Sequence, residues 1–222
     1  DLVRSRGLGD VYKRQAYYNT ANQLLGPTTT RAEALSAIRH ALLSGSMPLN
    51  IYQPLVTTGY EWVNAVHDSD YPVFLQLDGT PRAATWTPIA VRRVRADKRQ
   101  TMLPSDFPWL GSHVLILRRA AVDALRDMLD ANGEVLALST TDGVDLSVYN
   151  SRVIDALDEA NASLMKFPGT DRIMWLKKVA FFDSAIEGAD IFRLTHHGSS
   201  TYVSERFVER VTSAGLRGLD FT

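Results

Sequence analysis

The sequence contains no cysteine among its 222 residues. This absence excludes disulfide bonds and thiolate zinc sites, and a reducing cytoplasm is the simplest compartment for such a chain. No apolar run reaches the roughly 18 residues that span a bilayer, and no signal-peptide pattern is present. With 45% hydrophobic and 22% charged residues, the composition is that of an ordinary globular protein. We therefore expect a soluble, cytoplasmic protein with a sizeable core and no membrane contact.

The N-terminal region is expected to lie outside the folded domain. Residues 1–15, DLVRSRGLGDVYKRQ, lack an initial methionine and look like translated sequencing-adapter sequence, so we exclude them from the fold prediction. Residues 16–46 contain a predicted helix at 28–45, but their origin stays open because Met47 is a candidate start. Residues 47–222 are expected to form a single α+β domain.

The hydrophobic pattern predicts an α+β fold with a mixed or antiparallel sheet. Short apolar clusters in residues 51–95 indicate strands, and the Asp78-Gly79 pair is typical of a tight hairpin turn. Strand, helix and strand patterns then follow one another in two modules, residues 113–138 and 190–221. The C-terminal half is therefore predicted to consist of strand-helix-strand modules.

The second module carries the clearest helix signals. Ser204 is predicted to be the helix N-cap, because its hydroxyl can accept a hydrogen bond from a free backbone N–H. Phe207 and Val211 lie one turn apart and are expected to face the core, and Gly215 is expected to end the helix.

The most chemically suggestive stretch is His196-His197-Gly198-Ser199. A similar string occurs in some metallo-β-lactamase-like hydrolases, where a His-x-His-x-Asp-His cluster supplies the other metal ligands, but that cluster is absent from this sequence. Adjacent histidines on extended backbone point to opposite faces, whereas a catalytic zinc needs about three converging protein ligands. We therefore predict a polar loop between a buried strand and a helix, with no catalytic, cofactor-binding or metal-binding residues. The alternative is a metal-dependent hydrolase that uses the His196-His197 loop.

Charge is unevenly distributed, although the formal net charge is only -1. Residues 121–160 hold nine acids and two bases, a local balance of -7. A concentrated acidic surface favours a basic partner because the two electrostatic fields are complementary. Asp123, Asp127 and Asp130 of the predicted middle helix are the candidate contact residues. The alternative is an ordinary solvated helix face.

The basic residues 91–100, VRRVRADKRQ, raise the alternative of a nucleic-acid-binding accessory protein. Arg92, Arg93 and Arg95 are of the type that supplies most non-specific affinity for phosphates. However, no aromatic residue is interleaved to stack on bases, and the rest of the chain is acidic. An exposed strand end and turn is the favoured interpretation, and no nucleic-acid partner is expected.

The order of segments in the last 120 residues resembles one bacterial family. The segments are SDFPWLG, ALRDML, NGEVLAL, VYNSRVIDALDEANASLMKF, ADIFRL and YVSERFVERVTSAGLRGLDF. Their layout is similar to bacterial immunity family eleven, the Immunity MXAN-type protein domain, across residues 70–221.

This resemblance implies a role in a polymorphic toxin system. The immunity proteins of such systems are small and cytoplasmic. Each is encoded beside a toxin, which it neutralises by direct binding. The resemblance implies no catalytic residue and no cofactor, and it makes a cognate toxin protein, for example a nuclease effector, the expected partner. Asp123, Asp127 and Asp130 then become the candidate toxin-binding residues, while the oligomeric state stays open.

Overall fold

Two sheets of different size organise the fold in the computed structural model. The structure describes residues 49–94, 96–97, 100–196 and 198–222. The predicted helix at 28–45 and the assignments of residues 1–15 and 16–46 therefore lie outside the described residues.

The strands of the described residues are short. Their bounds are β1 Ile51–Tyr52, β2 Pro54–Val56, β3 Trp62–Ala65, β4 Ile89–Val94, β5 Ala96–Asp97, β6 Gln100–Thr101, β7 Leu115–Arg118, β8 Gly133–Thr140, β9 Leu146–Ser151, β10 Val153–Ile154, β11 Ser163–Lys166, β12 Ile173–Lys178, β13 Ile191–Leu194, β14 Thr201–Ser204 and β15 Leu219–Phe221. The helices are α1 Tyr71–Leu75, α2 Arg119–Asn132, α3 Asp183–Ile186 and α4 Glu205–Ser213, and a 3-10 turn covers Asp68–Asp70.

Both sheets combine parallel and antiparallel pairs, which confirms the predicted α+β class with a mixed sheet. The larger sheet has the order β3-β4-β8-β9-β7, and only its β4-β8 pair is parallel. The smaller sheet has the order β1-β14-β13-β10, with β10 parallel to β13. Three further pairs, β11-β12, β15-β2 and β5-β6, are antiparallel.

The four-stranded sheet separates two apolar layers. Ile191 lies opposite Val203 in the register, and both side chains pack in the core that α2 and α4 cover. The neighbouring pair, Phe192 and Tyr202, packs in a second core with Leu176 of β12. Because successive side chains of a strand point to opposite faces, α2 and the β11-β12 hairpin lie on opposite sides of this sheet.

Helix α2 forms the middle of the first predicted module, β7-α2-β8. Its apolar positions recur with helical spacing, and Ala121, Leu125 and Leu129 are all completely buried. Burial of each leucine contributes roughly 1.5–3 kcal/mol to folding. The sequence pattern predicts Gly133 as the residue that stops this helix, and Gly133 does end it and begins β8.

Helix α4 follows its predicted signals closely. The Ser204 Oγ accepts a hydrogen bond from the Phe207 N–H at 3.3 Å, which confirms the N-cap. Phe207 and Val211 are buried, and Gly215 has a φ of 66°, a left-handed conformation that costs glycine little. The chain then returns as β15, which pairs with β2.

Two local predictions are wrong. The first is the hairpin expected around Asp78-Gly79. The residues before this pair form helix α1 instead of a strand; Pro72 lies in the first turn of α1, and Phe74 is buried. Gly79 does have a positive φ of 80°, but its N–H is bound by the Asn150 side chain at 2.8 Å, and no strand pair flanks it. Tertiary contacts therefore hold a turn that the dipeptide signal alone assigned to a hairpin.

In the sequence, Asp155, Asp158 and Glu159 stand at helical spacing, which favours a solvated helix face, but these residues lie in no helix. Residues 156–158 and 180–182 pair through backbone hydrogen bonds such as Asp158 N–H to Ala180 C=O, at 2.9 Å. The Asp158 carboxylate then accepts the N–H of Ala160 at 3.1 Å, which is the local turn that aspartate favours over helix.

Candidate functional site

The loop that contains His196 is a turn of a β-hairpin. It connects β13 to β14, so the predicted polar loop is confirmed, but a strand that the sequence did not reveal precedes the helix. The buried Ser199 hydroxyl accepts the Leu194 N–H and donates to the Ser200 C=O, each at 2.9 Å. Gly198 has a φ of 74°, as a tight turn requires.

His196 is half-buried in this turn, and His197 lies outside the described residues. Burial lowers the pKa of His196, because it disfavours the charged imidazolium. Its Nδ1 atom is buried and has no hydrogen-bond partner among the described residues. In that part of the chain, no group of three or more His, Cys, Asp or Glu side chains converges on a position suited to a metal ion.

The three predicted contact residues Asp123, Asp127 and Asp130 lie on the exposed side of α2, but two of them have intramolecular partners. Arg119 binds both carboxylate oxygens of Asp123 at 2.9 Å. Arg210 of α4 binds Asp127 at 3.0 Å, and this hydrogen bond lowers the pKa of the Asp127 carboxyl.

The third predicted residue, Asp130, makes no ion pair with a described residue. The acidic surface that the sequence suggested is therefore partly neutralised by arginines of α2 and α4. The local balance of residues 121–160 did not reveal these pairs, because Arg119 and Arg210 both lie outside that window.

The basic stretch serves a structural purpose at one of its arginines. Arg93 of β4 points into the protein, where it binds the fully buried Glu61 at 3.1 Å and Asp142 at 2.5 Å. Arg118, at the start of α2, binds the other Glu61 oxygen. Arg93 is therefore not free for phosphates, whereas Arg92 is exposed and the Arg95 side chain lies outside the described residues.

The β11-β12 hairpin exposes large apolar side chains. Met165 lies opposite Trp175 in the register, and their exposed fractions are 52% and 55%. Met174 and Phe167 are exposed beside them. We call these four side chains the hairpin face. Surface clusters of tryptophan, methionine and phenylalanine are typical of protein interfaces, since these residues are enriched there.

Two clefts border the hairpin where it approaches the His196 turn, and Ile173 and His196 line both. The larger one has a volume of about 560 Å³ and contains the carboxylates of Asp155, Glu159 and Asp171; we call it the acidic cleft. The smaller one, of about 300 Å³, is lined by side chains that include Met174, Trp175 and Tyr202.

The sequence interpretation missed the hairpin face. SLMK has two apolar residues between polar ones, and IMWLKK begins with four apolar residues, so neither segment shows the strict alternation that predicts a half-buried strand. The alternation of exposed and half-buried residues in β11 appears only in the folded protein.

The C-terminal part of the chain is similar to a known protein family. Residues 148–222 match the Immunity protein family (Imm11). This match confirms the resemblance over about a third of the chain. The hairpin face, the acidic cleft and the His196 turn all lie within the matched residues. No curated protein matches the chain.

Among the described residues, no helix is both long enough and apolar enough to cross a bilayer.

Proposed function

We propose that this protein is a cytoplasmic immunity protein that binds a cognate bacterial toxin and neutralises it without catalysing a reaction. The observation that carries the proposal is the match of residues 148–222 to the Imm11 family. Such a role requires a preformed complementary surface and no reactive centre. An exposed apolar face within the matched residues supports it.

We further propose that the toxin is basic, as a nuclease effector would be, and that the acids of α2 steer its approach. Asp130 has no ion pair among the described residues, and it extends the row of Asp123 and Asp127 by one helical turn. Long-range attraction of this kind raises the association rate more than the final affinity. Neither a nucleic acid nor a membrane is part of the proposed complex.

A growth assay tests the proposed function. The toxin domain encoded next to this gene is expressed from an inducible promoter in a bacterial host, with and without this protein. We expect toxin expression alone to stop growth and co-expression to restore it, with the two purified proteins forming a complex in size-exclusion chromatography. A toxin domain from an unrelated system, which the protein is not expected to counteract, serves as the control. Persistent growth arrest without a complex contradicts the proposal.

A further inference from the structure

We propose that the hairpin face and the acidic cleft together form the docking surface for the toxin, and that a basic side chain of the toxin enters the cleft. This inference rests on the proposed function and names the part of the molecule that performs it. It also assigns the partner's chemistry: an apolar segment that carries a lysine or an arginine.

The apolar half of this surface is the hairpin face. A two-stranded hairpin has only one face to bury against its own protein, and here that face carries Leu164 and Leu176, which are half-buried. The opposite face presents Met165 and Trp175 to solvent. Large exposed side chains of this type become the anchors of an interface, because their burial removes much apolar area from water.

The polar half is the acidic cleft, whose lining has three carboxylates and one guanidinium, that of Arg172. Glu159 is neutralised by Lys166 at 2.7 Å, but the same ammonium group lies 3.9 Å from Asp171. The only hydrogen bond of the Asp155 side chain among the described residues is a long one, 3.4 Å, from the Thr195 hydroxyl. Asp155 thus makes no ion pair with a described residue, and the ion pair of Asp171 is a long one, so both carboxylates retain the capacity to bind a further cation.

The walls of the acidic cleft suit the stem of a long basic side chain. Leu157, Phe167 and Ile173 supply apolar surface around the carboxylates. Lysine and arginine bury their methylene groups on such surface while the charged end reaches an acid. The lining holds three carboxylates and one guanidinium, and an excess of negative charge repels phosphate, so the cleft disfavours a nucleic acid as the occupant.

Affinity measurements with the toxin domain encoded by the neighbouring gene, inactivated at its own catalytic residue, test this inference. Two double variants of the full chain separate the two halves of the surface: Met165→Ala with Trp175→Ala, and Asp155→Asn with Asp171→Asn. Matched controls change exposed residues elsewhere, Leu103→Ala for the apolar pair and Asp220→Asn for the acidic pair. Circular dichroism and thermal unfolding establish that each variant is folded.

We expect the apolar double variant to weaken binding by about 30-fold or more. The acidic double variant should weaken it by about 10-fold, with a smaller loss at high salt, where the charge contribution is screened. The two controls should bind within about 2-fold of the wild-type chain, as energetically neutral surface positions do.

The outcomes separate this inference from the proposed function. If the wild-type chain binds and protects while both double variants keep their affinity, the docking surface is wrong and the immunity function stands. A wild-type chain that neither binds nor protects overturns both. Self-association that the apolar double variant abolishes, with toxin affinity unchanged, would assign the hairpin face to a second copy of the chain and overturn the inference.

Discussion

Helix α2 and the β11-β12 hairpin cover opposite sides of the same four-stranded sheet, but they use their side chains differently. The helix buries its apolar residues completely and covers its outer side with charges that are partly paired. The hairpin leaves methionine and tryptophan exposed on its outer side. Local charge excess and recognition surface therefore need not coincide: two of the three candidate acids of α2 are paired within the protein, whereas the large apolar side chains of the hairpin stay exposed.

The largest expected difference between the two regions is in folding stability. Leu125→Ala removes a side chain that is 0% exposed, so we expect the free energy of unfolding to fall by about 2–5 kcal/mol. Met165→Ala removes an exposed side chain and should change it by about 0.5 kcal/mol or less. Urea denaturation of both variants measures these values. Similar losses in the two variants would remove the contrast between the helix and the hairpin.

For toxin binding, we expect the hairpin to matter more than the helix. Trp175→Ala is expected to raise the dissociation rate of the toxin complex by about 30-fold and to change the association rate little, because it removes a short-range contact. Leu103→Ala, at an equally exposed position, should change neither rate. Surface plasmon resonance measures both rates. A slower association rate as the main effect of Trp175→Ala would show that the hairpin face does not anchor the complex.

A smaller effect is expected from pH on the hairpin side of the sheet. Because burial lowers the pKa of His196, the folded protein binds fewer protons there than the unfolded chain, in which histidine titrates at about 6.5. Stability should therefore decline as the pH falls below about 6.5, and the decline should level off below the folded pKa.

The variant His196→Gln should flatten this part of the stability profile. His67→Gln, which changes an exposed histidine, serves as the control. Chemical denaturation between pH 5 and pH 8 measures the profile. An unchanged slope in His196→Gln would show that burial of this imidazole does not contribute to it.

The smallest expected effect concerns the acids of α2. Reversing Asp123, Asp127 and Asp130 to lysine should slow toxin association a few-fold at about 0.01 M salt, where charges interact over about 30 Å. The effect should nearly vanish at about 0.15 M, where this distance is about 8 Å. Asp220→Lys is the matched control, and stopped-flow fluorescence measures the rates. Rates that do not depend on ionic strength would exclude α2 from steering.

Much of the C-terminal fold followed from local sequence signals. Ser204, Gly133 and Gly215 mark helix boundaries where predicted, because capping depends on backbone groups a few residues away. The hairpin predicted around Asp78 was wrong, because the conformation of this turn depends on Asn150, which is distant in the sequence. Similarly, the spacing of Asp155 and Asp158 could not distinguish a helix from a turn fixed by pairing with residues 180–182.

The sequence by itself determined the α+β class, the helix caps and, through the order of its segments, the resemblance to an immunity protein family. Only the tertiary structure decided which acids are neutralised and which apolar side chains remain exposed. Arg210 reaches Asp127, and Trp175 turns away from the core, because of packing between segments far apart in the chain. Caps and periodicities are short-range properties of the backbone, whereas charge pairing and exposure depend on which distant elements the fold brings together.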